Sequence, residues 1–331
     1  MNIKRSGLTL VELMAVLTII GVLIALLLPA ILYVRESARR AYCQNNLRQS
    51  AIAIQLFHDS RKQLPSLYNG SFEFNGSTKV FPEKYWDEYH FHSWQTALLP
   101  HLEQSSLFDR LDLKMAASSP SNQSNVKTEL SVFLCPSTNN YTRFRPVSQY
   151  SPNEVIGISA RSDYEAIGGI LLATESIGNR LSNMQVDEGV WGLPRHVDGR
   201  SVDRDGSYDA PKRTNFREIS DGLSNTIVIG EIAGRPDIYK RGKLVSQYGS
   251  VDHPIINSAW AISGPYSAIL LHKNPTVNET NNGGLYSFHN SGANIAFADG
   301  SIRFLASSTD AAALHAMATR AGNEVVGMDG F

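Results

Sequence analysis

The sequence predicts an α+β fold in which one long N-terminal helix lies against an enlarged, antiparallel β-rich domain. Three observations predict it. From Leu8 to Val34 the chain reads LTLVELMAVLTIIGVLIALLLPAILYV, with Glu12 the only charge in 27 residues. Beyond Arg40 the same helical stretch turns amphipathic. From Val132 onward, short apolar runs alternate with Gly, Asn and Asp turns.

Composition sets the bounds. The 331 residues are 42% hydrophobic and 18% charged, enough for a sizeable core and too well mixed for disorder. Lys+Arg is 30 against Asp+Glu 31 with no run of like charge, so no nucleic-acid partner is expected.

The elements follow in order. Residues 1–7, MNIKRSG, are a short basic leader. Residues 8–34 are long enough to span a membrane, since about 20 apolar residues cross a bilayer core as helix. A secretory signal peptide would be shorter and end in a small-residue cleavage site; here the run continues into Arg35-Glu36, and Gly7 precedes it. Residues 35–60 are the amphipathic half, with Cys43, Leu47, Ile54 and Phe57 on one face and Arg39, Gln44, Arg48 and Gln55 facing water. Gly21 and Pro29 weaken the helix locally.

Residues 61–331 form the globular domain, starting near Arg61 where Gln63-Leu64-Pro65 ends the helical pattern. Residues 61–90 read as irregular loop, 93–113 as helical on either side of Pro100, and the Ser/Asn-rich 115–130 as surface loop. Strands are predicted at 167–173, 226–231, 259–263, 285–288, 293–298 and 302–306. The last two flank Asp299-Gly300, a pair that readily takes the positive φ angles of a tight hairpin turn.

Few residues invite chemistry. Glu12 places a carboxylate in hydrocarbon, at about 2.5–3.5 kcal/mol near the bilayer centre and less near the interface. It therefore has a partner or function, or it lies close enough to the interface to hydrate. Cys43 and Cys135 are the only cysteines and form no Cys-x-x-Cys pair, which excludes a cysteine zinc knuckle. They are a suspected disulfide if the domain lies outside the cytoplasm, and two buried thiols otherwise. No metal centre or other cofactor is expected. Asp203, Asp205 and Asp209 in SVDRDGSYD are weak calcium candidates without EF-hand spacing, and His90 and His92 read as exposed histidines. Trp86, Trp94, Trp191 and Trp260 are scattered, as core residues are. No nucleophile elbow, zinc-protease helix or phosphate loop is present, and the reading is not an enzyme.

The opening KRSGLTLVELMAVLTIIGVLIALLLPA resembles the class III signal and N-terminal helix of type IV pilins and pseudopilins. The resemblance implies that a membrane prepilin peptidase/N-methyltransferase cuts between Gly7 and Leu8 and methylates the new terminus. Glu12 becomes the fifth mature residue, and its implied assembly partner is the α-amino group of Leu8 in a neighbouring subunit. The family's usual first mature residue is phenylalanine, where this chain has Leu8.

The rest resembles a bacterial family of prepilin-like proteins whose C-terminal domain has unknown function and a His-x9-Asp-Gly signature. The matching stretches are CQNNLRQSAIAIQLFHD, HSWQTALLPHLEQSSLF, FLCPS, EISDGLSNTIVIGE and FHNSGANIAFADGSIRF, with His289, Asp299 and Gly300 as the signature. A structural role suits these three, because Asp-Gly builds a turn and no nucleophile accompanies the histidine.

The implied fold is pilin-like. The implied function is a structural subunit of a type IV pilus or type II secretion pseudopilus, joined to other pilin-like subunits through helix packing. It would be single-pass in the inner membrane with the domain outside the cytoplasm. Lys4 and Arg5 favour that orientation, and large domains translocate largely regardless of following arginines such as Arg35 and Arg39. The competing expectation is a surface binding module that uses the helix only for export or anchoring. An anchored enzyme using His289 and Asp299 ranks last.

Overall fold

The computed structural model describes residues 10–69, 72–73, 92–115, 117, 119–138, 147–148, 151–155, 158–177, 180–191, 207–208, 214–247, 259–262, 269–272 and 275–322. Helix α1 (Leu10–Arg61) runs unbroken for 52 residues, about 78 Å at 1.5 Å per residue. Among the described residues it is the one helix long and apolar enough to cross a membrane. Its first half lies bare, with Leu10 and Tyr33 about three-quarters exposed. So much apolar surface requires lipid or other helices around it.

From Cys43 the helix changes character. Cys43, Leu47, Ala51 and Ile54 are buried and Phe57 packs beside them, the face predicted from the spacing. Two polar residues, Asn46 and Ser50, share that face. Hydropathy spacing does not foresee them, because it treats every polar side chain as outward. The helix stops where Lys62 takes a φ of 57° and its N–H closes on the His58 carbonyl at 2.6 Å.

The domain is built on a six-stranded sheet: β1 (Tyr164–Ile177), β2 (Arg180–Glu188), β3 (Ile227–Glu231), β4 (Ile269–His272), β5 (Gly292–Phe297) and β6 (Ile302–Ala306). The order is β4-β1-β3-β5-β6, with β2 also paired to β1. All pairs are antiparallel except β4 on β1. The predicted strands at 226–231, 293–298 and 302–306 stand within a residue of β3, β5 and β6, and the 167–173 strand lies inside the longer β1. Among the described residues, the runs at 259–263 and 285–288 make only isolated bridges, such as Arg161 to Ala259 and Ile232 to Tyr286. The β5–β6 hairpin turns at Asp299-Gly300; of the pair Gly300 takes a positive φ, 86°, and Asp299 does not, its Oδ1 instead accepting from Ser301 N at 2.8 Å.

Period-two alternation sorts β5 between two cores. Ala296 faces the cluster built on α1 with Leu47, Trp94 and Trp191, whereas Ala293, Ile295 and Phe297 face the opposite cluster. That second cluster is closed by Leu314 and Met317 of helix α3 (Ala311–Ala318), whose first turn is capped by Asp310. Helix α2 (Trp94–Leu98) runs into a 3-10 turn, Leu99–Leu102, that contains Pro100. The Ser/Asn-rich 115–130 segment departs from expectation: Ala117, Asn122 and Val126 are buried in a third cluster region with Phe133 and Trp260. Asn122 is tolerated there because its amide exchanges two hydrogen bonds of 2.9 Å with the Asp112 backbone. Trp94 and Trp191 pack together at 5.1 Å between centroids; Trp86 lies outside the described residues.

Candidate functional site

A polar cluster lies where α1 meets the domain. Glu36, Cys43 and Asn46 recur at i, i+7 and i+10, one face of the helix. Asn46 Nδ2 donates to the Ser131 and Leu134 carbonyls at 3.0 and 2.9 Å, fixing the loop that carries Cys135. From below, Asp163 Oδ2 accepts from Cys135 N at 2.8 Å, and its other oxygen accepts from Gly234 N at 3.3 Å. Burial pushes the Asp163 carboxyl up, with Arg161 at 3.7 Å and these two N–H groups pulling the other way.

Two further donors converge on the cysteines. Glu231 ends β3 with its side chain fully buried. Glu231 Oε2 accepts from the backbone and side-chain nitrogens of Asn294, both at 2.9 Å. Its Oε1 has no hydrogen bond and faces His289 Nε2 at 3.3 Å. His289 Nδ1 lies 2.6 Å from Glu36 Oε1, and Cys135 Sγ lies 3.5 Å from Nε2. The loop carrying His289 is held by Asn278, whose amide donates to the His289 and Gly292 carbonyls. Burial opposes a charged His289 ring, but the hydrogen bond to Cys135 and the nearby Glu231 carboxylate prevail, pushing the imidazole up to about 11. Burial likewise pushes the Cys135 thiol up.

Cys43 and Cys135 are brought together as the sequence suggested, Sγ atoms 2.7 Å apart, but as free thiols: the suspected disulfide is not formed in this structure. His289 and Asp299 do not form a joint site, because six-residue β5 stands between them, about 20 Å of extended chain. Asp299 and Gly300 make the hairpin turn, while His289 enters the buried cluster. His92, expected exposed, is buried, with Nε2 3.1 Å from the Met115 carbonyl. Glu12 lies exposed near the start of α1. Gly7, Leu8, His90 and Asp203, Asp205 and Asp209 lie outside the described residues.

Sequence reasoning missed Glu36, Asn46, Asp163 and Glu231. Only Glu231 left a signal, as the lone charge closing the apolar run IVIGE. An Asn46→Ala variant is expected to lose about 1–3 kcal/mol, the effect of losing two side-chain hydrogen bonds at about 0.5–1.5 kcal/mol each. Its exposed neighbour control, Asn45→Ala, should stay within about 0.5 kcal/mol. Urea unfolding of the full chain in detergent, read at unchanged m-value, checks both.

Comparison with known proteins yields two matches to family models. A family described as protein of unknown function (DUF1559) matches residues 33–312, and the prokaryotic N-terminal methylation motif matches residues 2–28. Nothing among curated proteins or solved structures matches the chain.

Proposed function

The chain belongs to the family described as protein of unknown function (DUF1559) and carries the N-terminal methylation motif; from that premise we propose that it is a structural, pilin-like subunit. One observation carries this reading. A single 52-residue helix presents a bare apolar half at one end and is pinned to a folded domain at the other. Such a rod exchanges lipid for neighbouring rods without any change in the domain it carries.

In this reading a prepilin peptidase cuts between Gly7 and Leu8 and methylates Leu8. The leader faces the cytoplasm and the domain lies beyond the membrane. Subunits then leave the bilayer and pack helix on helix, with Glu12 of one set against the new α-amino group of another, in a type IV pilus or a type II secretion pseudopilus. The test is mass spectrometry of the mature N-terminus together with fractionation of the chain. A methylated Leu8 terminus recovered in sheared filaments is the expected result. An intact Met1 terminus overturns the processing, and a cut chain confined to membranes overturns the filament role in favour of an anchored binding module.

A further inference from the structure

The cluster between α1 and the sheet holds more donor chemistry than a docking contact requires. Cys43, Cys135, Glu231 and His289 are all buried, and their ligand atoms lie within 4.8 Å of one another. They come from α1, the loop after residue 133, the end of β3 and the turn before β5. We propose that these four side chains bind one zinc-class divalent ion, which clamps the assembly helix to the domain. The proposal stands whether or not the chain enters filaments.

The distances support a tetrahedral site. With Zn–N and Zn–O near 2.05 Å and Zn–S near 2.3 Å, tetrahedral edges are about 3.3 Å for N···O and about 3.6 Å for N···S. The observed His289 Nε2 to Glu231 Oε1 separation is 3.3 Å, and Nε2 to Cys135 Sγ is 3.5 Å. An imidazolium–carboxylate hydrogen bond would be about 2.7–2.9 Å, so the Nε2···Oε1 gap is long for a shared proton and right for a shared ion. Of these three separations the sulfur pair is the departure: at 2.7 Å it must open by about 1 Å to reach the S···S edge of about 3.8 Å. A disulfide would need the opposite movement and would use neither Glu231 nor His289.

The supporting contacts are those a metal site needs. Glu36 engages His289 Nδ1 at 2.6 Å, which turns Nε2 toward the cluster. Asn294 holds Glu231 Oε2, so that Oε1, buried and without a hydrogen bond, is aimed inward. Asp163 fixes the Cys135 peptide. Binding replaces the two thiol protons, and any proton on Nε2, with the metal and releases them to solvent.

The test uses the full chain purified in detergent from cells supplied with zinc. The expected result is one zinc per chain with both cysteines reduced by intact mass. Exchange for Co²⁺ should add visible bands of a tetrahedral ion and a near-ultraviolet thiolate-to-cobalt band. Glu231→Gln, nearly isosteric, and Glu36→Gln, at a residue that meets His289, Ser137 and Arg39 but none of the other three ligands, should each weaken Co²⁺ binding by roughly tenfold or more. A metal-free chain lighter by two hydrogens, meaning a Cys43–Cys135 disulfide, overturns the proposal, as does a metal-free chain with both thiols reduced that gives no cobalt bands.

Discussion

Replacing Glu12 with alanine is expected to leave the chain processed and membrane-inserted while removing most of it from filaments. A carboxylate in hydrocarbon is disfavoured by up to about 3 kcal/mol, less toward the interface, and setting it against a neighbour's α-amino group offsets that term only in the assembled state. Alanine relieves the membrane-bound subunit and gives the filament nothing. At about 1.4 kcal/mol per factor of ten, the assembly equilibrium should fall roughly ten- to a hundredfold per contact. Glu12→Gln should behave like alanine, because it keeps the shape and loses the charge. Immunoblots of sheared filaments against membranes read the ratio directly. Parent-level recovery of either variant in filaments would remove the reason for a charge in this segment.

Gly292→Ala is the substitution expected to damage the domain most. A Cβ at this position would lie 2.1 Å from the Leu305 carbonyl oxygen and 2.6 Å from the Phe304 ring. Real Cβ atoms do not come so close, and the oxygen is backbone in a paired strand, with Gly292 opposite Ala306 in the β5–β6 ladder. The oxygen has no rotamer by which to retreat. Relief requires breaking the first rungs of the hairpin, which also moves the Gly292 carbonyl away from Asn278 and Ser287, the residues that hold the His289 loop. A loss of about 3 kcal/mol or more is expected from overpacking of this kind. Gly21→Ala is the contrast: nothing lies within 4 Å of its Cβ, and alanine favours helix by up to about 1 kcal/mol. Urea unfolding in detergent that leaves Gly292→Ala within about 1 kcal/mol of the parent would show that the hairpin yields more readily than its geometry implies.

Much of the architecture follows from periodicity alone. Twenty-seven residues with one charge have no stable home in water, and the switch at Cys43 to a three-to-four-residue apolar spacing declares which face meets a domain. ANIAFA-DG-SIRFLA carries its own turn, so β5 and β6 pair through local chemistry. The elements that went unseen carry little pattern of their own. β2, RLSNMQVDE, has little alternation and exists because β1 offers its backbone an antiparallel edge. Ala117 and Val126 look like loop residues until Phe133 and Trp260 arrive from elsewhere in the chain to cover them.

What the sequence determined by itself was the rod, its charge at Glu12, its cleavage motif and the hairpin, because each is written in residues that are neighbours along the chain. The meeting of Glu36, Cys43, Cys135, Glu231 and His289 was decided only by the tertiary structure. Cys43 and His289 are 246 positions apart (289 minus 43). Periodicity reports which way a side chain points, not which other side chain it will find there. That information exists only once helix, loop and sheet have packed and one imidazole has been set between two carboxylates.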